Sequence, residues 1–439
     1  MTLGGLTGDV LGKARTAAFP RNFTPGESVI DRYHLFLLGS ILFLVLCVSA
    51  HADEEDPAGP TPVPIWGIDF SPDGTKLAAA AGPRGSKGIL TVLDTDTWET
   101  IFRIPNPVNL TCVAFSPDGK RLAVGTNDGY VFVVDLATKS TVKRWPSGTW
   151  GVFGINWSHD GKQIVAACSN GQLTVFDARS FEPVITFDVW KADGIPNTKP
   201  GGHADRNQWD ASFTSDGHIL LSGGWQDTTR LWSMETGKMI ASFPEVDKLT
   251  QGVKFTPDER HFLSAGIGLD CVRIRETETF RERITLPISG RDVAIHPGGG
   301  LVAASGPASV KVFAVNLDEP SPTAALRIRA LVAQAGSDDE DERSLATSKL
   351  RNMGPRIEPL LHALQQENPK GFPIQLLALC EQFNKPSEVA DFQNVKGDVR
   401  QVVFSPRGNK LAASTTEGEI HVWNVPDFSF DQKLEVTIP

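Results

Sequence analysis

The sequence predicts an all-β ring of seven four-stranded blades, a seven-bladed β-propeller, with a small α-helical insert in the sixth blade. Three observations predict it. A turn, Ser71-Pro72-Asp73-Gly74, returns with wear as Ser116-Pro117-Asp118-Gly119, Ser158-His159-Asp160-Gly161, Thr214-Ser215-Asp216-Gly217, Thr256-Pro257-Asp258-Glu259, Ile295-His296-Pro297-Gly298 and Ser405-Pro406-Arg407-Gly408. Successive copies are 45, 42, 56, 42, 39 and 110 residues apart, and about 40–45 residues is what one four-stranded blade occupies. Residues 319–387, inside the longest step, exchange strand patterning for helical spacing.

Each element has a local reason. Pro presets φ at the second turn position, while Asp and Gly supply side-chain-to-backbone bonding and positive φ. Before the first turn, Ile65-Trp66-Gly67-Ile68-Asp69-Phe70 alternates apolar side chains as a strand does, and Lys76-Leu77-Ala78-Ala79-Ala80 follows as its hairpin partner. Third strands end in β-branched and aromatic runs: Leu90-Thr91-Val92, Val131-Phe132-Val133, Leu173-Thr174-Val175, Leu231-Trp232, Val272-Arg273-Ile274, Val310-Lys311-Val312 and Val422-Trp423. Outer strands are predicted at 98–104, 141–145, 183–189, 239–243, 281–286 and 428–438, with 388–395 closing the sixth blade. On this parsing the ring closes without strand exchange, and the Pro-rich residues 54–64 add no long strand.

The insert reads as four amphipathic helices. Apolar residues fall at helical spacing over 324–335, 357–366 and 374–383, and Asp338-Asp339-Glu340-Asp341-Glu342 opens the second helix with charges that suit its positive end. Placed between the third and fourth strands of blade six, it is either a helical cap or a docking face for a partner.

A strand, a Ser-Pro-Asp-Gly turn, a second strand and a third ending near Trp-Asp resemble the WD40 repeat, over residues 65–317 and 388–437. That resemblance implies a WD40-type propeller acting as a non-enzymatic scaffold for protein partners. The repeat's His, Ser, Asp and Trp network is approached in blade four alone, by His203, Ser222 and Trp232 with Gln226 in place of Asp. Val134, Phe176, Arg275 and Phe313 stand where Trp belongs elsewhere, so apolar packing between blades is expected to hold the ring. The insert, with Met353-Gly354-Pro355 before another helix, looks like the HEAT-like segments of some secreted bacterial propeller proteins, notably planctomycete ones.

Composition bounds the partners. The chain has 439 residues and a net charge of -10, which argues against non-specific nucleic-acid binding. Residues 35–48 form an apolar run between Arg32 and Ser49-Ala50-His51-Ala52-Asp53. This fits a signal peptide cut after Ala52, with export to the periplasm or cell surface, or else an uncleaved anchor. The expected organisation is therefore an N-terminal extension and signal at 1–52, blades one to six at 53–318, the insert at 319–387, and the rest of the ring at 388–439, the whole a monomer. Cys112, Cys168, Cys271 and Cys380 form no close pairs and read as buried free thiols.

Candidate binding residues lie where the repeat fails. The 56-residue step carries Trp190, Lys191, His203, Asp205, Arg206 and Trp209 on a loop opening on the upper face, and Arg84, Trp150, Trp225 and Arg291 are expected nearby. Arg and aromatic side chains exposed together are typical anchors. His203 has an equally simple reading as the structural histidine of blade four, and Trp209 as strand packing. No phosphate loop, nucleophile elbow or paired metal-ligand spacing is present, so no cofactor or metal is expected. The rival reading is a propeller enzyme or sensor holding an ion or metabolite in its channel, for which Asp210, Arg291 and Asp398 supply few ligands.

Overall fold

The computed structural model describes residues 61–438, apart from 149, 193–206, 225–227, 245–248, 268–271, 318–321, 354–356, 384–385 and 394. Strands β2 (Ile65–Phe70), β3 (Lys76–Ala81), β4 (Gly88–Asp94) and β5 (Thr100–Asn106) form the first antiparallel sheet, in chain order from the channel outwards. Six more sheets repeat it, with inner strands β6 (Leu110–Phe115), β10 (Val152–Trp157), β14 (Gln208–Phe213), β18 (Leu249–Phe255), β22 (Val293–Ile295) and β26 (Val399–Phe404). No blade exchanges a strand. The ring closes instead through a two-residue clasp in which β1 (Thr61–Pro62) pairs with β30 (Thr437–Ile438).

The repeated turn is a hydrogen-bonded knot. Ser71 Oγ donates to Asp73 Oδ1 at 2.5 Å and accepts from Lys76 N at 2.9 Å, with Gly74 at φ 70°. The same contacts recur at Ser116, Ser158, Thr214 and Thr256. Bonding from Ser71 and then from the Thr75 amide holds the Asp73 carboxyl down at about 2. These turns follow the inner strands and so occupy the lower face; the face on which inner strands begin is the upper one.

Two predicted outer strands need correcting. The first starts at Thr100 rather than 98, because Trp98 takes φ 60° to end the preceding turn, and the last starts at Phe430, because Phe428 takes φ 55°. Lys139, Phe181 and Phe280 do the same in their blades. The last strand also breaks at Val436, separating β29 (Phe430–Glu435) from β30.

Apolar packing fills the seams between blades, from Leu90 and Val113 at the first to Ile68 and Ile420 at the last. The seam between blades four and five is thinnest among the described residues, with Leu221, Leu231, Val253 and Phe262 buried. There the expectation of apolar packing is only partly met. Trp232 donates from Nε1 to Ser222 Oγ at 2.9 Å in blade four, and in blade five Arg275 reaches Ser264 Oγ at 3.3 Å from the equivalent place. The Arg275 guanidinium lies 5.6 Å from the Phe243 ring centroid and meets Glu282 at 3.5 Å. A planar cation thus replaces an indole.

The insert leaves β24 (Ser309–Ala314) on the lower face and returns as β25 (Ser387–Gln393), which pairs with β24. After a short α1 (Val189–Ala192) in blade three, its helices are α2 (Pro322–Ala335), α3 (Glu340–Met353), α4 (Glu358–Glu367) and α5 (Ile374–Phe383). They enclose their own core of Ile328, Leu350, Leu361 and Leu376. Cys112, Cys168 and Cys380 are buried thiols outside any disulfide, and Cys271 lies outside the described residues. No helix among the described residues is long and apolar enough to cross a membrane.

Candidate functional site

The inner strands carry a device that alternation hides. In six of them the register slips at the second or third residue, leaving Trp66, Thr111, Phe153, Trp209, Gln251 and Arg400 unpaired between ladder partners. A β-bulge re-aims its extra side chain, and here all six line the channel. Arg291 takes the seventh place, its amide and that of Asp292 both donating to Ser305 Oγ, at 3.1 and 2.8 Å.

The residue after each bulge packs strand against strand. Gly67, Gly154 and Gly252 let the next blade's backbone approach: a Cβ on Gly154 would stand 2.6 Å from Trp209 O and 2.8 Å from Asp210 Cα. Between these glycines stand Cys112, Asp210 and Asp292, then Gln401. Each of these side chains tethers the following blade, Cys112 by its thiol donating to Val152 O at 3.7 Å. Asp210 accepts from Val253 N at 3.1 Å, Asp292 from Val402 N at 3.0 Å and Gln401 from Ile68 N at 2.7 Å. One step deeper, Asp69 accepts from Phe115 N at 2.7 Å.

Lys254 is the cation of this layer, bonded to Asp210 Oδ2 at 2.6 Å. Burial works against its charge, but Asp210 and then Asp292 raise its pKa above the ordinary value. Burial pushes the Asp69 carboxyl up to about 7 and the Asp292 carboxyl to about 6, against the pull of their amide bonds and Lys254.

The mouth above is basic and aromatic. The Trp66 indole is fixed by donating to Gly82 O at 2.7 Å. Two guanidiniums lie on it, Arg84 at 5.0 Å and Arg400 at 4.7 Å from its centroid. Arg291 pairs with Asp398 at 3.1 Å, and Phe153 stacks on Trp209 with centroids 4.6 Å apart. Burial, then the neighbouring Arg291, brings Arg400 down to about 10, still charged at neutral pH. The mouth is an open cleft of about 200 Å³.

Of the residues singled out in the sequence, Trp209, Arg84 and Arg291 line this mouth together. Trp150 is half exposed on the connection into β10. Lys191 lines a separate outer depression beside Lys143 and Glu182. His203, Asp205, Arg206, Trp225 and the Trp190 side chain lie outside the described residues. Trp66, Phe153 and Arg400 were missed, although a large residue before glycine at an inner-strand start, as in Trp66-Gly67 and Phe153-Gly154, was the available signal.

Seven blades, their repeated turns and a walled channel define a WD40-type propeller. The family model described as WD domain, G-beta repeat matches residues 388–424, and that described as Cytochrome D1 heme domain matches residues 84–312, just over half of the chain. Over that longer stretch the chain belongs to the propeller family that the Cytochrome D1 heme domain describes, and its likeness to the WD40 repeat is supported by the match at 388–424 and by WD-repeat relatives. WD repeat-containing protein 82 of Drosophila melanogaster is 21% identical over 66% of this chain and 84% of its own. Protein transport protein SEC31 of Chaetomium globosum is 28% identical, over 44% of this chain and 15% of its own. An uncharacterised WD repeat-containing protein of Synechocystis is also 28% identical, over 33% and 38%. The chain thus spans well under half the length of those last two.

Among solved structures, a chain of the mitotic checkpoint complex superposes with a TM-score of 0.58 at 12% identity, over 82% of this chain and 89% of that one. The RRP9 WD40 repeats give 0.55 at 14%, over 80% and 87%. These likenesses show the fold.

The heme that the cytochrome family name implies does not fit the described lining of this channel. An axial ligand would have to be His, Met, Tyr or thiolate. Among the described residues the lining includes no His, Met or Tyr, and its one thiol, Cys112, is pushed up to about 12 by burial.

Proposed function

We propose that the chain is a non-enzymatic scaffold for protein–protein interaction that docks its partner at the upper mouth of its channel. One observation carries this reading: the bulged ring gathers Trp66, Phe153, Trp209, Arg84, Arg291 and Arg400 on one rigid rim. Aromatic and Arg side chains held in place by a scaffold are the residues that dominate protein interfaces. Protein interaction is also the common use of WD40 propellers. The floor beneath suits a scaffold better than a catalyst, because its carboxylates are engaged in tethering backbone amides of the next blade. We place the protein outside the cytoplasm, following the apolar run at 35–48.

The test is capture of partners from the source cell on three immobilised proteins: the full chain, the variant Arg84→Glu/Arg400→Glu, and a chain lacking residues 322–383. Partners held by the full chain should be lost by the charge-reversed variant and kept by the shortened one. Capture unaffected by the double substitution, in a variant whose melting temperature is unchanged, would overturn the reading.

A further inference from the structure

We infer that the mouth is a carboxylate receptor: Arg84 and Arg400, both seated on Trp66, clamp an Asp or Glu side chain presented by the docked protein. This rests on the docking proposal and names the chemistry of its occupant.

The charges at the rim do not cancel. Three guanidiniums face the mouth, and the neighbouring acid, Asp398, is bonded to Arg291. Neither Arg84 nor Arg400 has an ion-pair partner among the described residues. The carboxylates deeper in the channel are committed: Asp210 to Lys254 and Val253 N, Asp292 to Val402 N, and Asp69 to Phe115 N. Among the described residues the rim therefore keeps two positive charges without an ion-pair partner in a protein whose net charge is -10.

Two donors point the same way. The Nε–H of Arg400 and the indole N–H of Trp209, on side chains that line the mouth, are shielded from solvent and have no acceptor among the described residues. Buried donors normally find a partner, and each left unmade costs about 1–3 kcal/mol. A carboxylate offers acceptors only, so it answers the spare charge and the spare N–H groups at once.

Size and field then select the kind of anion. A space of about 200 Å³ admits the end of one side chain rather than a polyanionic strand. A net charge of -10 disfavours an extended anion, so one acidic residue in a peptide of otherwise mixed character is the best match. The stacked guanidiniums add geometry, because a fork held against an indole presents paired N–H groups that a flexible ammonium cannot.

Calorimetric titration of the full chain with a blocked hexapeptide of five Gln and one central Glu, blocked hexaglutamine and inorganic phosphate tests this. The single-Glu peptide should bind, weaken with added salt, and lose at least about tenfold in affinity in Arg400→Ala and in Arg84→Ala. Arg400→Lys should recover only part of that loss. Hexaglutamine should not bind. The inference is overturned if the single-Glu peptide does not bind, binds Arg84→Ala/Arg400→Ala unchanged, or is outcompeted by an equal concentration of phosphate. Should it fail while the charge-reversed variant still loses its captured partners, the docking proposal stands and the carboxylate clamp falls.

Discussion

Lys254→Met should destabilise the protein by about 3 kcal/mol at pH 8 and by much less at pH 5. The ammonium lies 2.6 Å from Asp210 and is one of the few bridges over the seam with the thinnest apolar packing. Removing one partner of a buried ion pair costs about 3–5 kcal/mol, and we take the low end because the Lys254 side chain keeps 26% exposure in the channel. The pH dependence follows from the other two acids. Asp69 and Asp292 have folded pKa values of about 7 and about 6, above the ordinary carboxylate value. The folded state thus holds protons that the unfolded chain has released, so stability declines as pH rises from about 4 through those values. Lys254 limits that decline by attracting both. Without it their folded pKa values rise further, so the penalty is greatest where Asp69 and Asp292 must both ionise and shrinks as they protonate. Urea unfolding at the two pH values reads the difference. Adding Asp210→Asn to Lys254→Met should recover part of the pH 8 loss, because the stranded carboxylate is gone.

Gly154→Ala should cost about 2–3 kcal/mol, a large effect for one methyl group. Its Cβ would stand 2.6 and 2.8 Å from backbone atoms of Trp209 and Asp210. Neither is the end of a flexible side chain, so β10 and β14 must separate. They carry Phe153 and Trp209, stacked 4.6 Å apart, so the mouth should loosen with the seam. Gly161→Ala provides the comparison: it sits at φ 70° with Pro117 Cδ as its nearest neighbour at 3.7 Å, and should cost only about 1 kcal/mol of backbone strain. Thermal unfolding of both variants checks the order, and equal shifts would refute the close-approach account.

The architecture was legible because its signals are local and repeated. Ser71-Pro72-Asp73-Gly74 and its copies mark a hydrogen-bonded turn that any one blade specifies for itself, and helical spacing such as Leu360, Leu361 and Leu364 marked the insert. The mouth was only partly legible. Strand alternation assigns Trp66, Phe153 and Arg400 to ordinary strand positions, and the bulge that sends them into the channel is a property of paired strands. Trp209 was found because it stood in the irregular 56-residue step, and Arg291 because it was expected beside that loop, not because the bulged ring was seen. Arg275 was misread for a related reason: an Arg at a Trp position looks like a lost network until Ser264 and Phe243 are placed beside it.

The central claim is that the bulged ring, rather than the insert, meets the partner. A benzophenone amino acid introduced at Gln251, within the ring, and separately at Leu345, 57% exposed on α3, tests it by photo-crosslinking to a captured partner. Crosslinks from Gln251 and none from Leu345 are the expected result. Crosslinks from Leu345 alone would contradict the account and move the function to the helices.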